Sequence, residues 1–129
     1  MTKSISIKFI SISFVIFIGY ILYCANTGTS NIFFTIIGKV PYGDKIAHMG
    51  LVGILAFLLN LLLSSKTFSF KGFNILVASF GVFCFMTIEE FSQIWIDKRT
   101  FDLVDLTFNY IGIGIASWLI IRFFKKVVL

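Results

Sequence analysis

Four apolar runs, each near the length needed to cross a lipid bilayer, dominate this chain: Phe9 to Ala25, Ile46 to Leu63, Phe73 to Ile96 and Leu103 to Phe124. A spanning helix needs about 20 mostly apolar residues, because in lipid every backbone N–H and C=O must be bonded within the segment. With 58% hydrophobic residues, 17 Phe and a single Pro, the composition belongs to an integral membrane protein rather than a soluble domain. The expected fold is all-α, a bundle of four transmembrane helices making one domain over residues 1–129. The short links Ser64 to Gly72 and Asp97 to Asp102 predict antiparallel neighbours.

No small-residue cleavage pattern follows the first run, and Tyr23 before Cys24 makes a poor lipoprotein signal, so this run is expected to be retained. Cys24 and Cys84 stand isolated in apolar stretches, which predicts neither a disulfide nor a zinc site. In the longest loop, Asn26 to Gly43, the piece Ile32 to Ile37 is too short to span and is expected at the interface.

The formal charge of +5 does not mark a nucleic-acid partner, since the basic residues are scattered at the ends of the apolar runs without a dense patch or stacking motif. They report topology instead. Lys3, Lys8, Lys66, Lys71, Arg122, Lys125 and Lys126 fall on one side of the spans, against Lys39, Lys45, Lys98 and Arg99 on the other. Because basic loops are retained in the cytoplasm, both termini are expected there.

All six acidic residues and the only histidine lie in two short stretches, Asp44 to His48 and Glu89 to Asp105, both on the expected outer side. Ionisable groups at or inside apolar runs are costly and are usually functional. Helical spacing groups them: Asp44 with His48, Glu89 and Glu90 with Gln93, and Asp102 with Asp105 and Asn109, the last stripe continuing through Gly112 and Ala116. With the third run starting at Phe73, Glu90 falls about 25 Å along it, inside or at the edge of the hydrocarbon core. The inner half carries Asn60 and Ser79, the latter expected to bond its own helix backbone, but no carboxylate, which argues against a transport path through a monomer.

Three readings of the outer residues follow. In the first, Asp44, Glu90, Asp105 and Asn109 pair with Lys45, His48, Gln93 and Arg99 simply to hold the helix ends together. In the second, Arg99 with Lys45 or Lys98 grips a phosphate or carboxylate, while His48, oriented by Asp44 or Glu90, serves as general acid or base. The candidate catalytic residues are then His48, Glu90 and Asp105, and the candidate ligand-binding residues Asp44, Lys45, Gln93, Arg99 and Asn109. Ser92 is adjacent, but nothing in its spacing marks it as activated. In the third, His48, Glu90 and Asp105, with Asp44 or Glu89, hold a divalent metal. One imidazole among carboxylates suits magnesium or manganese better than zinc.

These residues also carry a resemblance. Asp44, Lys45 and His48 reproduce a D-K-x-x-H motif at a helix start, Glu90 and Gln93 an E-x-x-Q motif, and Arg99, Asp105, Asn109 and Gly112 follow as R and D-x-x-x-N-x-x-G. In this order, over roughly residues 40 to 120, the chain resembles the VanZ-like family of small bacterial membrane proteins, named for a teicoplanin-resistance accessory protein. It departs from the family in having Asp97 and Lys98 where a proline often precedes the arginine, and Val52 where an aromatic often follows the histidine. The resemblance implies a multi-pass protein of the bacterial plasma membrane and a role at the cell envelope. Joined to the second reading of the residues, the expected function is an outward-facing pocket that binds or modifies an envelope lipid or lipid-linked glycan, with a relation to glycopeptide (teicoplanin) resistance suggested by the family's name alone. The alternative is a non-catalytic scaffold or accessory protein whose polar residues are structural.

Overall fold

A computed structural model describes residues 2–97, 99 and 101–124. Among these, the elements are α1 (Thr2–Thr27), α2 (Ile32–Gly38), α3 (Gly43–Leu62), β1 (Thr67–Phe70), β2 (Phe73–Leu76), α4 (Val77–Ser92) and α5 (Leu103–Leu119). A single 3₁₀ turn, Gln93–Trp95, extends α4, and a π-helical stretch, Ile120–Phe124, extends α5. Four helical segments are long and apolar enough to cross a membrane: Ile5–Thr27, Gly43–Leu62, Val77–Trp95 and Leu103–Phe123. The fold is therefore the four-span helical one expected. Lys98, Lys125 and Lys126, used in the orientation argument, lie outside the described residues.

The elements end where local chemistry ends them. Gly28, at φ 75, closes α1 in the left-handed conformation that glycine adopts without cost, and the Thr29 N–H returns to the Cys24 carbonyl at 2.9 Å as in a Schellman cap. Asn31 caps α2 by accepting from the Phe34 N–H at 2.9 Å. Seven residues of α2 extend only about 10 Å, so it cannot span, and Ile32 and Ile36 are exposed.

One connection differs from expectation. Residues 73–76 do not begin the third span but pair with residues 67–70, expected within the link, in an antiparallel hairpin in which Phe70 faces Phe73 across a two-residue Lys71–Gly72 turn. Both turn residues have positive φ, 50 and 82, the geometry whose twist matches that of paired strands. The third span consequently starts at Val77, and Glu90 falls about 20 Å along it rather than 25.

Packing also joins helices that are not consecutive. The core joins Val52, Leu55 and Ala56 of α3 to Val82 and Met86 of α4 and to Ile113 and Ala116 of α5. The tightest pair, α3 and α5, run parallel, with both N-termini at the acidic end. They approach backbone to backbone: a Cβ on Gly112 would collide with the Met49 carbonyl oxygen, and one on Gly53 would lie 3.2 Å from the Gly112 carbonyl oxygen. Small residues permit such approach, which lipid tails cannot drive but close packing can. At the opposite end, Asn60 has no exposed surface and donates to the Ala56 carbonyl at 2.9 Å and to Ser79 Oγ at 2.8 Å. The Ser79 and Ser117 hydroxyls stand 2.6 Å apart. Ser79 thus bonds across helices, not back onto its own as expected, because Ser117 of α5 lies within reach.

Gly112→Ala should lower stability by about 1–3 kcal/mol, since the obstructing atom is backbone and the helices must part. Gly114, with nothing within 4 Å of its Cβ position, should accept alanine neutrally or gain up to about 1 kcal/mol. Thermal unfolding of the two variants in detergent or nanodiscs checks the contrast.

Candidate functional site

Two parallel helix N-termini favour the carboxylates of Asp44, Asp102 and Asp105 at this end of the bundle. The N-terminus of a helix carries partial positive charge and unbonded N–H groups. Asp44 sits in the first turn of α3; Asp105 sits in the first turn of α5, and Asp102 caps that helix by accepting from the Val104 N–H at 2.8 Å. Between them lies Lys45, whose Nζ donates to Asp105 Oδ1 at 2.7 Å, Asp102 Oδ2 at 2.9 Å and Asp44 Oδ2 at 3.0 Å. One ammonium therefore ties the start of α3 to the start of α5.

One turn deeper, His48 Nδ1 pairs with Asn109 Oδ1 at 3.1 Å, and its Nε2 lies 3.7 Å from Asp105 Oδ2. Both ring nitrogens face α5. Asn109 is fully buried, and its Nδ2 has no hydrogen-bond partner among the described residues.

The C-termini of α1 and α4 meet at the same end and carry the opposite partial charge. There Arg99 Nη1 donates to Asn26 Oδ1 at 2.7 Å and to Glu89 Oε1 at 3.1 Å. Gln93 Nε2 reaches Glu90 Oε2 at 3.0 Å and the Glu89 carboxylate at 3.3–3.4 Å. Glu90 has no exposed surface, and its second oxygen accepts from the Asp102 N–H at 3.2 Å. That bond links the arginine side of the site to the lysine side.

The structure thus brings His48, Glu90, Asp105, Asp44, Lys45, Gln93, Arg99 and Asn109 to one end of the bundle, but in two layers. A cavity of about 160 Å³ opens between α1, α2, α3 and α4. Its walls are mostly apolar, from Ile18, Ile21 and Leu22 of α1 and Phe33, Phe34 and Ile37 of α2, and its polar lining is Asp44, His48, Glu89 and Arg99. Lys45, Glu90, Gln93, Asp105 and Asn109 do not line it. They stand behind, Lys45 bonded to Asp105, Gln93 to Glu90 and Asn109 to His48. With Lys45 enclosed by carboxylates, Arg99 is the cation that the cavity meets.

The donor set weighed for a metal is not assembled: among the described residues, no group of three or more His, Cys, Asp or Glu side chains is placed to hold one ion. Lys45 takes the place among Asp44, Asp102 and Asp105 that a cation would need. The Ser92 hydroxyl donates to the Glu89 carbonyl at 2.6 Å, which leaves it tied to backbone rather than to a base.

The family model described as VanZ/LLP1 matches residues 3–125. The chain belongs to the VanZ/LLP1 family. No curated protein and no solved structure matches it. The family match covers nearly the whole chain, so α1, which carries none of the motif residues, is part of the VanZ/LLP1 unit along with its cavity wall.

Sequence reasoning passed over two contributors and gave a third another role. Asp102 was placed on the right stripe but not in the site, although its position as N-cap of α5 fixes it beside Lys45. Asn26 carried no signal beyond standing at the end of the first apolar run. Glu89, rather than Glu90, is the partner of Arg99 and reaches the cavity; one residue is 100° of helix rotation, and the pattern at this helix end fits either carboxylate.

Lys45→Met should destabilise the protein by about 1–3 kcal/mol, discounted for partial exposure, because it leaves neighbouring carboxylates unpaired. Lys45→Met with Asp105→Asn should recover part of that loss in thermal unfolding. A second expectation concerns acid. The Lys45 ammonium, and next the Val104 N–H, hold the Asp102 carboxyl below its ordinary range. A lowered folded value means that its contribution is present above the unfolded value, near pH 4, and is lost as pH falls through the folded one. Asp102→Asn, which keeps an N-cap, should therefore flatten the stability profile below about pH 4, as read by unfolding across acid pH.

Proposed function

We propose that this VanZ/LLP1 protein binds part of an amphipathic envelope molecule, a lipid or the lipid end of a lipid-linked glycan, in the cavity between α1, α2, α3 and α4. The observation that carries this reading is the make-up of the cavity wall: α1 and α2 contribute only apolar side chains, while Asp44, His48, Glu89 and Arg99 come from the other elements, together with Ala47, Leu51, Val52 and Met86. An apolar chain would lie against the former while a phosphate or carboxylate meets Arg99.

Size narrows the reading. A volume of 160 Å³ is that of a cavity which admits benzene, well below the roughly 300–1,000 Å³ of sites that enclose whole ligands. Only a head group or a short chain segment fits, and the rest of the molecule stays in the bilayer or in water. Binding is favoured over bond making, because both nitrogens of His48 are turned to α5 and Ser92 is bonded to backbone. We place the protein in the bacterial plasma membrane with both termini cytoplasmic and the cavity at the outer leaflet, following the excess of basic residues at the opposite end.

A specific observation supports the scaffold reading as well: Lys45 and Arg99 are both bonded to carboxylates of the chain itself. Ala25→Phe, which places a ring into the cavity from α1, separates the two. If the cavity is a binding site, native mass spectrometry of protein extracted with membrane lipid should show a retained amphiphile whose occupancy falls about tenfold, a loss of about 1.4 kcal/mol, while thermal stability holds or rises. A scaffold would retain no such molecule before or after substitution. If the binding reading extends to the resistance implied by the family's namesake, expression in a susceptible bacterium raises the inhibitory concentration of teicoplanin, and Ala25→Phe removes that rise.

A further inference from the structure

At the end of the bundle away from the cavity, the hairpin is sorted into two faces. Cross-strand partners share a face, and alternate residues along a strand return to it. Phe68 pairs with Ile75 and Phe70 with Phe73, which makes one face wholly apolar. Thr67 pairs with Leu76 and Ser69 with Asn74, which makes the other mainly polar. A hairpin of two strands has no core of its own in which to bury such a face. Phe70 is 56% exposed and Phe73 72%.

The apolar face is not an isolated patch. Phe68 meets Phe80 of α4 edge to face at 5.5 Å, Phe80 stacks toward Phe83 at 6.4 Å, and Phe83 stacks on Tyr110 of α5 at 4.7 Å. Phe80 and Phe83 are exposed on a spanning helix, so this aromatic strip already faces lipid, and the hairpin continues it past the helix end. The charge around it has one sign. Lys66 and Lys71 are exposed beside the strands, Lys71 Nζ stands 5.5 Å from the Phe70 ring centroid, Arg122 lies at the same end of α5, and every acidic residue of the chain belongs to the other end.

We propose that residues 67–76 form an interfacial anchor: the hairpin lies in the plane of the membrane surface with Phe68, Phe70, Phe73 and Ile75 in the acyl boundary, and Lys66 and Lys71 holding anionic phospholipid head groups. Continuity with the lipid-facing strip supplies the orientation. The unbalanced positive charge supplies the preference, since basic residues beside a membrane attract anionic lipid, and long lysine stems let the charge reach the head groups while the rings stay below.

Tryptophan quenching tests this directly. The native Trp95 and Trp118 are 78% and 59% exposed, so Trp95→Phe with Trp118→Phe is a background expected to keep the fold, checked by helical circular dichroism. Phe70→Trp, Phe73→Trp, Ser69→Trp and Asn74→Trp are then placed singly and reconstituted in vesicles of phosphatidylcholine, alone or mixed with phosphatidylglycerol. Brominated phosphatidylcholine should quench positions 70 and 73 several-fold more than 69 and 74, with blue-shifted emission. Acrylamide present on both sides should reverse the order. Phosphatidylglycerol should deepen positions 70 and 73, and Lys66→Gln with Lys71→Gln should cancel that change while leaving the alternation. Equal acrylamide quenching at all four positions would overturn the anchor, because the hairpin would then stand in water. Shielding of 70 and 73 from both quenchers would overturn it in favour of a protein cover such as a second copy. Lipid quenching indifferent to phosphatidylglycerol would overturn the head-group assignment.

Discussion

Two helices can lie backbone to backbone only where side chains are absent, and the seam between α3 and α5 at Gly53 and Gly112 is such a place. The rest of the acidic end depends on it. Because the two helices run parallel, their N-termini coincide, and their partial positive charges gather carboxylates from both. Because they are close, one lysine can reach Asp44, Asp102 and Asp105 together, and one histidine can reach Asn109 across the gap. A bulkier seam would leave the same residues at the same height yet out of bonding range.

That arrangement separates two tasks which sequence alone merges. Most polar groups behind the cavity are bonded within the cluster, as buried polar groups generally are. The residues at the cavity, Arg99, Glu89, His48 and Asp44, are held by those behind them and by Asn26. Fixing a cavity-lining group through neighbours that never touch the ligand is how rigid sites are generally built. The pairing reading and the binding reading then describe different layers of one cluster.

Much of this was legible in the residues. The four apolar runs locate the spans, and the confinement of acids and histidine to two stretches locates the end where they meet. Spacing brings Asp44 near His48, and Asp105 near Asn109, because helix periodicity acts over a turn or two and needs no tertiary knowledge. What failed to show has a common cause. Phe73, Ile75 and Leu76 extend the third apolar run at its start, and only the pairing of this strand with Thr67 to Phe70 reveals the period of two. Ser79 was assigned to its own backbone because its partners, Asn60 and Ser117, come from other helices. The choice of Glu89 over Glu90 for Arg99 rests on a loop whose path no periodicity describes.

The polar links at the two ends of α3 bear on the seam between them. Lys45 and Asn60 are about 22 Å apart along the helix, and Gly53 lies near the midpoint. A contact made of glycine backbone resists separation but offers little against rotation, so by itself it would serve as a pivot on which α3 and α5 could scissor. The lysine cluster at one end and the Asn60, Ser79 and Ser117 chain at the other act on lever arms of about 10–12 Å, where a small force opposes a large torque. The crossing angle is thereby clamped at both tips, and a change made at either one would be felt as rotation at the other.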